Sequence, residues 1–561
     1  MTWKARVDCD VLVIGGGLAA IRAALAAHDA GARTAMVLKG ELGSSGSSAV
    51  AGGGLAAVLN ISDVPEDSIM RHMRDTLASG DYVNDPNLVR QLVTQAPNAT
   101  RQLEQLGAEF VRKESGEIEV FLAPAHGCRR SVRIAGGGTA RLIGPLAEGV
   151  RRLPILLHEK TTVLDIVQSN GRAVGAVGVN ENGLVLFTAR AVVLASGGAG
   201  RIYPLTSTQE EATGDGYAIA MRNRLALTGM EFVQFTPTAL AYPKALEGTS
   251  TGGVLLGLAG TRLWNNRHER FMERYDPERK EASTRAVLSR AIQSEVTEGR
   301  GSPHGAVYLD LTGNEADTLR RLAAPFMAKL SPFGIDITRD PIEIAPAVHY
   351  FMGGVEINAL AETGLPGLYA AGEVAGGVQG SNRLSSNSLT DVNVYGRIAG
   401  SEAARYAYEA PRPDRSAASK SGQAVLQGLV SARARPARAT LDALHEELKR
   451  VMFSAAGIVR DAGSMARGLE EIARLRAAHA RLAPLALADL GRYFELRNML
   501  DVGRAVIVSA QHRAESRGAH YRTDFPERDD ARWLVATRVY RDGERLRVLE
   551  RDFSGNRIYM Q

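Results

Sequence analysis

Two cysteines in 561 residues, Cys9 and Cys128, are too few for a disulfide framework, a four-cysteine zinc site or an iron–sulfur cluster. Redox chemistry in this chain must therefore rest on a bound group that needs no sulfur ligands, and no set of metal ligands is indicated. No run of about 18 or more apolar residues occurs, so no segment reads as a membrane span. Met1–Asp10 runs into a strand pattern without an apolar leader, which makes the cytoplasm the expected location. The 67 basic and 62 acidic residues leave a net charge of +5, with no basic run interleaved with aromatics. That balance argues against nucleic-acid binding.

What the chain has is ordinary globular composition, 45% hydrophobic and 23% charged, with 59 glycines gathered into clusters. Its length implies about three or four domains. The apolar run Asp10–Ile14, the turn Gly15-Gly16-Gly17, a helical stretch over Ala19–Ala30 closed by Gly31, and the strand Thr34–Leu38 make a βαβ unit. The expected fold is α/β: a Rossmann-like parallel sheet binding a dinucleotide, with an inserted domain and a C-terminal helical domain. Residues 68–108 read as helical, and five short β-like runs follow between Ile155 and Leu194. A breaker-rich stretch begins at Ala410-Pro411-Arg412-Pro413, residues 436–515 are helical in pattern, and Trp533–Tyr540 is strand-like.

Gly15-Gly16-Gly17-Leu18-Ala19-Ala20 fits the dinucleotide fingerprint with Ala20 in its last position. Glycines there allow a tight turn and bring a pyrophosphate close to the helix N-terminus, whose free N–H groups favour anions. The second strand ends in Leu38-Lys39, without the acidic residue of an ordinary NAD site. Small-residue clusters recur at Ala195–Gly200 (with Ser196 and Gly197), at Thr213–Gly216 around Asp215, and at Ala370–Glu373. Asn382–Leu389 then opens a helix. Donors and carboxylates spread this widely suit FAD, which is long enough to need distributed contacts.

These segments, with Met230–Phe235, Glu269–Glu273, Ser283–Arg290, His349–Gly354 and Glu515–Arg522, resemble the flavoprotein subunits of succinate dehydrogenase and fumarate reductase, and L-aspartate oxidase. The matches run in family order over nearly the whole chain. The resemblance implies an FAD-binding domain over 1–245 and 346–409, a capping domain over 246–345, a linker over 410–435, a helical bundle over 436–520 and a closing segment over 521–561. It implies FAD contacts at Gly15, Gly17, Ala20, Lys39, Ser45, Gly52, Gly53, Val163, Ser196, Gly197, Asp215, Glu373, Ser388 and Leu389. Covalent members carry a flavin-linking His after the second strand; Gly43–Ala49 has none, so the FAD is expected to be non-covalent.

Oxidising a C–C bond beside a carboxylate requires a hydride acceptor, a proton acceptor and neutralisation of the carboxylate, a task suited to a bidentate Arg. Arg383 and His349 match the family's carboxylate-binding residues, and Arg285 matches the arginine that donates or accepts the proton. Gln234, Thr236 and Glu247 complete the candidate substrate set. Here the chain departs from the pattern. Dicarboxylate-specific members have His-Pro-Thr where this chain has Thr236-Pro237-Thr238, and their Thr-Glu pair and Gly-Glu-Gly-Gly stretch are replaced within Lys244–Gly253, where Glu247 is the stand-in. Their Asp-x-Thr-Gly is replaced by Gly136–Arg141. His126, Cys128, Arg129 and Arg130 in the same region read either as contacts to the substrate's far end or as a surface basic turn. The expected activity is dehydrogenation or reduction at the α,β carbons of a small carboxylate other than succinate or fumarate. The alternatives are an aspartate-oxidase-like amino acid oxidase and the flavoprotein component of a complex with an electron-transfer partner.

Overall fold

The computed structural model describes residues 3–52, 54–251, 253–429, 438–482 and 487–560. The chain divides into two compact units: Met1–Ile202, Gln209–Phe232 and Phe351–Gln561 form the first, Tyr203–Thr208 and Val233–Tyr350 the second. The expected capping span, 246–345, lies inside the second unit.

The first unit is built on the expected βαβ opening. Strand β1 (Val11–Ile14), helix α1 (Leu18–Asp29) and strand β2 (Thr34–Val37) follow one another. Strands β3 (Leu156–His158), β4 (Ala191–Leu194) and β5 (Leu368–Ala370) join them in a five-stranded sheet of order β5-β4-β1-β2-β3. Every pairing is parallel, with Val11 opposite both Thr34 and Ala191, and Val192 opposite Leu368. β1, β2 and β4 are buried at all positions, as strands of a parallel sheet covered on both faces are. Helix α1 ends as its glycine predicts: Gly31 has φ +84°, its N–H bonds His28 O, and Ala32 N–H bonds Ala27 O.

The β-like runs after β3 form Thr162–Ser169, Arg172–Asn180 and Gly183–Thr188, an antiparallel set extended by Ala5–Asp8. The helical stretch 68–108 is two helices, Ile69–Ser79 and Pro86–Gln105. Asp81 and Tyr82 have φ of +51° and +62°, and Asp85 caps a new helix that starts on Pro86. The span read as a linker carries the helix Arg415–Leu429, anchored by Trp3 Nε1 donating to Ser419 Oγ at 2.8 Å. Helices Arg438–Ala456, Ala462–Ala480 and Leu487–His512 follow, then the hairpin Val535–Asp542 and Arg545–Asp552. That hairpin completes a five-stranded sheet with Leu227–Thr228, Gly354–Glu356 and Ala375–Gly376.

The second unit has its own sheet, in order Val233–Leu240, Ile342–Phe351, Val307–Asp310 and Arg262–Trp264. Its core is apolar and fully covered, with Leu263, Phe271, Ile292, Leu309 and Ile344 at its centre. Among the described residues, no helix is long and apolar enough to cross a membrane.

Candidate functional site

In the first unit, the turn after β1 is shaped by backbone. Gly15 has φ +134°, and a Cβ there would lie 2.1 Å from Ala195 O at the end of β4. Gly17 caps α1 in an extended conformation with no side-chain cap, and a Cβ on it would meet only Ser48 Oγ at 3.5 Å. Ala20 is fully buried on the next turn, beneath Gly15. The loop after β2 folds over this turn: Ser45 is buried against Gly16 and Gly40, and a Cβ on Gly46 would stand 3.1 Å from Gly17 Cα. A Cβ on Gly52 or on Gly197 would meet nothing within 4 Å. Gly53 lies outside the described residues. Ser196 Oγ is buried without a hydrogen-bond partner and sits against Gly216.

Lys39 stands where an acidic residue would bind a ribose, and the chain gives it two carboxylates. Its Nζ is 2.5 Å from Asp215 and 2.8 Å from Glu495, and it donates to Thr213 Oγ1 at 2.6 Å. Burial alone pushes the ammonium down, but Asp215 and Glu495 overcome it and hold it protonated. Asp215, in the first turn of the helix Asp215–Arg222, also accepts from Asn498 Nδ2 at 2.7 Å. Val163 is buried in the antiparallel set, paired with Gly178, and just before it Thr161 N–H bonds Leu38 O at 2.9 Å.

The second cluster of this unit surrounds helix α2 (Asn387–Glu409). The residue before it, Ser386, has φ +65°, a left-handed conformation that a side chain adopts only when its surroundings impose it. This turn places Ser388 and Leu389 in the first turn of α2, where N–H groups lack intrahelical partners. Arg383 is buried, 5% exposed, with Nη1 3.3 Å from Ser388 Oγ. Glu373 accepts the Phe351 N–H at 3.0 Å, and Gly198 is required beside it, since a Cβ would lie 2.2 Å from its Oε1. Burial pushes the Glu373 carboxyl up to about 7, against the pull of the Phe351 N–H and of Arg383. Two helix N-termini, open glycine turns and two anchored carboxylates make a donor and acceptor set that fits an extended dinucleotide with an anionic middle.

The second unit holds the other candidates. Gln234 and Thr236 are buried on Val233–Leu240, and His349 is half-buried on the neighbouring strand Ile342–Phe351. His349 Nδ1 is 2.8 Å from Ser207 Oγ, and Ser207 is itself tied to Val348 O through its N–H at 2.9 Å. Arg285 is the first residue of the helix Arg285–Thr297, capped by Thr284 Oγ1 accepting from Val287 N–H at 3.4 Å. Glu247 is exposed and ion-paired with Lys244.

Several partners carry no signal in the sequence. Ser207, Glu495 and Asn498 lie far along the chain from the residues they hold and belong to no motif, so only the fold pairs them. His126 and Arg130 are not part of a surface basic turn, since both are buried. Arg130 is buried on Asp67 and Asp75, and His126 Nε2 lies 2.7 Å from Ser385 O.

The model of an FAD binding domain matches residues 10–389, and that of the fumarate reductase flavoprotein C-terminus matches residues 445–558. The chain is 38% identical to one of the subunits of the fumarate reductase (CoM/CoB) of Methanothermobacter marburgensis, over 93% of this chain and 95% of that one. It is 34% identical to the L-aspartate oxidase of Streptomyces coelicolor, over 94% and 90%. A chain of E. coli quinol fumarate reductase superposes with a TM-score of 0.90 at 31% identity, covering 98% of this chain and 97% of that one. The chain therefore belongs to the family of FAD-dependent oxidoreductases formed by the flavoprotein subunits of fumarate reductase and succinate dehydrogenase and by L-aspartate oxidase.

Proposed function

We propose that this enzyme dehydrogenates or reduces the α,β C–C bond of a small carboxylate other than succinate or fumarate, with FAD held non-covalently. The observation that carries the reading is Thr236, buried on its strand where dicarboxylate-specific members have His, while Arg383 and His349 are both present. One carboxylate clamp is kept and the second is changed. Glu247, tied to Lys244 on an exposed turn, does not restore it.

FAD, when bound, accepts or supplies the hydride. Its contacts are assigned to the turns at Gly15–Gly17, Ser45, Gly52 and Ser196–Gly197, to Asp215 and Glu373, and to the start of α2 at Ser388 and Leu389. Arg383 carries a planar fork of donors, its Nη1 3.3 Å from Ser388 Oγ, and neutralises the substrate carboxylate. That neutralisation lowers the cost of enolate-like charge developing beside it. His349 contributes a second donor, its ring fixed by Ser207. Arg285 moves the proton. It stands at the N-terminus of the helix Arg285–Thr297.

Relatives described as fumarate reductase subunits, one of them a flavoprotein subunit, support a separate electron-transfer partner, and both cysteines of this chain are buried and unable to form a cluster. The similarity to L-aspartate oxidase supports the second reading, an amino acid oxidase.

The test is anaerobic titration of the holoenzyme with mono- and dicarboxylates. Bleaching of the oxidised flavin is followed, and so is reoxidation of the dithionite-reduced flavin by α,β-unsaturated acids. A substrate outside the succinate–fumarate pair is expected, and turnover of succinate or fumarate overturns the proposal. Hydrogen peroxide formed with L-aspartate in air selects the oxidase reading. Arg285→Ala is expected to keep its flavin and lose bleaching. Acid precipitation is expected to release the yellow colour into the supernatant.

A further inference from the structure

The segment from Ser381 to Leu389 carries Arg383 and opens α2, and side chains with no part in the proposed chemistry grip it from outside. His126, 8% exposed, sets Nε2 2.7 Å from Ser385 O and Nδ1 3.0 Å from Arg130 Nη1. A carbonyl only accepts and a guanidinium only donates, so His126 is the neutral tautomer with its proton on Nε2. Arg130 is fixed in turn by Asp67 at 2.7 Å and by Asp75. Two residues further on, Asn387 Oδ1 accepts from His72 Nε2 at 2.9 Å while its Nδ2 donates to Thr76 Oγ1 at 3.0 Å. Just before Arg383, the Asn382 carbonyl accepts from Ser79 Oγ at 3.1 Å. His72, Thr76 and Ser79 are all on the helix Ile69–Ser79, so one rigid element holds both ends of the turn.

We propose that His126 and His72 are positioning residues. They clamp Ser385 and Asn387 so that the Arg383 guanidinium and the N–H groups of Ser388 and Leu389 meet the substrate carboxylate and the flavin in one fixed geometry. The part concerning Arg383 rests on its proposed role as carboxylate binder; the part concerning the start of α2 does not.

The clamp is built to stay neutral. The two imidazoles face each other at 6.2 Å, and the charged groups around them are Arg130, Asp67 and Asp75. A proton added to His126 Nδ1 would point at the Arg130 guanidinium. Burial pushes both rings down, His72 to about 3. Ser386, left-handed between the two gripped residues, is the conformation such a clamp would have to impose.

The test compares His126→Gln, His126→Asn and His126→Leu. The Gln amide nitrogen reaches the place of Nε2 and still donates to Ser385 O; Asn stops short of it, and Leu cannot donate. The readouts are the dissociation constant of FAD from the apoprotein and the visible circular dichroism of the bound flavin. Loss of the clamp is expected to raise that constant about tenfold in the Asn and Leu variants and to change their flavin bands. The Gln variant is expected to stay within about twofold of the parent with the parental spectrum. Parental affinity and spectrum in both Asn and Leu variants overturn the proposal. If Leu fails to fold, Asn carries the comparison; if both fail while Gln folds, the role is structural and the proposal falls. Arg383→Lys, titrated with succinate and with butyrate in parallel, separates the two claims. If neither acid perturbs the parent's flavin, the reading of Arg383 is in doubt while the flavin readouts still decide the clamp.

Discussion

Glu373 keeps its carboxyl where carboxylates rarely sit, buried against Gly198 and the Phe351 N–H, and Arg383 offsets only part of the cost. Its affinity for a proton is thereby raised from an ordinary 4.5 to about 7. The folded state binds that proton more tightly than the unfolded chain, so the stabilisation is complete below pH 4.5 and lost as pH rises through 7. The interval is worth about 3 kcal/mol. The Tm of the apoprotein, taken relative to that of Glu373→Gln, in which the neutral form is permanent, is therefore expected to fall between pH 5 and pH 8. Parallel pH curves for the two proteins would refute the assignment. At this scale the sequence is informative where residues cluster in motifs. Glu373, Asp215 and Arg383 stand beside glycine turns or a helix entrance, and their neighbours advertise a ligand. Ser207, which orients His349, and Asn498, which holds Asp215, carry no such signal, because a hydroxyl or an amide gains its meaning only from the contact.

Elements are legible where local signals are redundant. Helix α1 has a glycine turn before it, an apolar face along it and a glycine closing it, and the observed bounds follow. The stretch 68–108 reads as one helical region because its apolar spacing continues through the break; the weaker signals, Asp85 and Pro86, decide the outcome. The helix Arg415–Leu429 escapes a reading by composition because the prolines before it dominate that stretch. The turn of Glu515–Arg522 shows a family-matching run acting as a brace. Ala519 N–H bonds Ser381 O at 3.1 Å, Arg517 Nη1 bonds Asp81 O at 3.0 Å, and Ser381 Oγ is itself held by Asp81. Gly518 has φ +55°, and a Cβ there would lie 2.3 Å from Ser381 Oγ. Gly543 has a similar φ of +61° with nothing within 4 Å of its Cβ. Gly543→Ala thus bears only the backbone cost, about 1 kcal/mol, whereas Gly518→Ala must also displace Ser381. Calorimetry is expected to show Gly518→Ala with the clearly lower Tm of the two. Equal losses would mean that the turn does not press on Ser381.

For the whole molecule, buried imidazoles set the acid limit. His72, His126, His445, His479 and His520 are all buried, and burial is the first cause lowering each; His72 falls to about 3, His445 and His479 to about 4. They are spread from the α2 clamp to the C-terminal helices, so no local rearrangement relieves them together. A depressed group contributes stability above its unfolded pKa near 6.5, and that stability is lost as pH falls toward the folded value. At pH 5 each of the three with a stated value costs about 2 kcal/mol, about 6 kcal/mol together. The opposing gain from Glu373 is at most about 3 kcal/mol, so the histidines prevail. The net, about 3 kcal/mol, is set against the roughly 5–15 kcal/mol that holds a folded protein together. The Tm is therefore expected to fall steeply between pH 6.5 and pH 5, with several protons taken up per chain on unfolding at pH 5. Calorimetry in buffers of different ionisation heat measures both quantities. A Tm at pH 5 equal to that at pH 7 would mean that water reaches these rings and that the packing around them is looser than their burial implies.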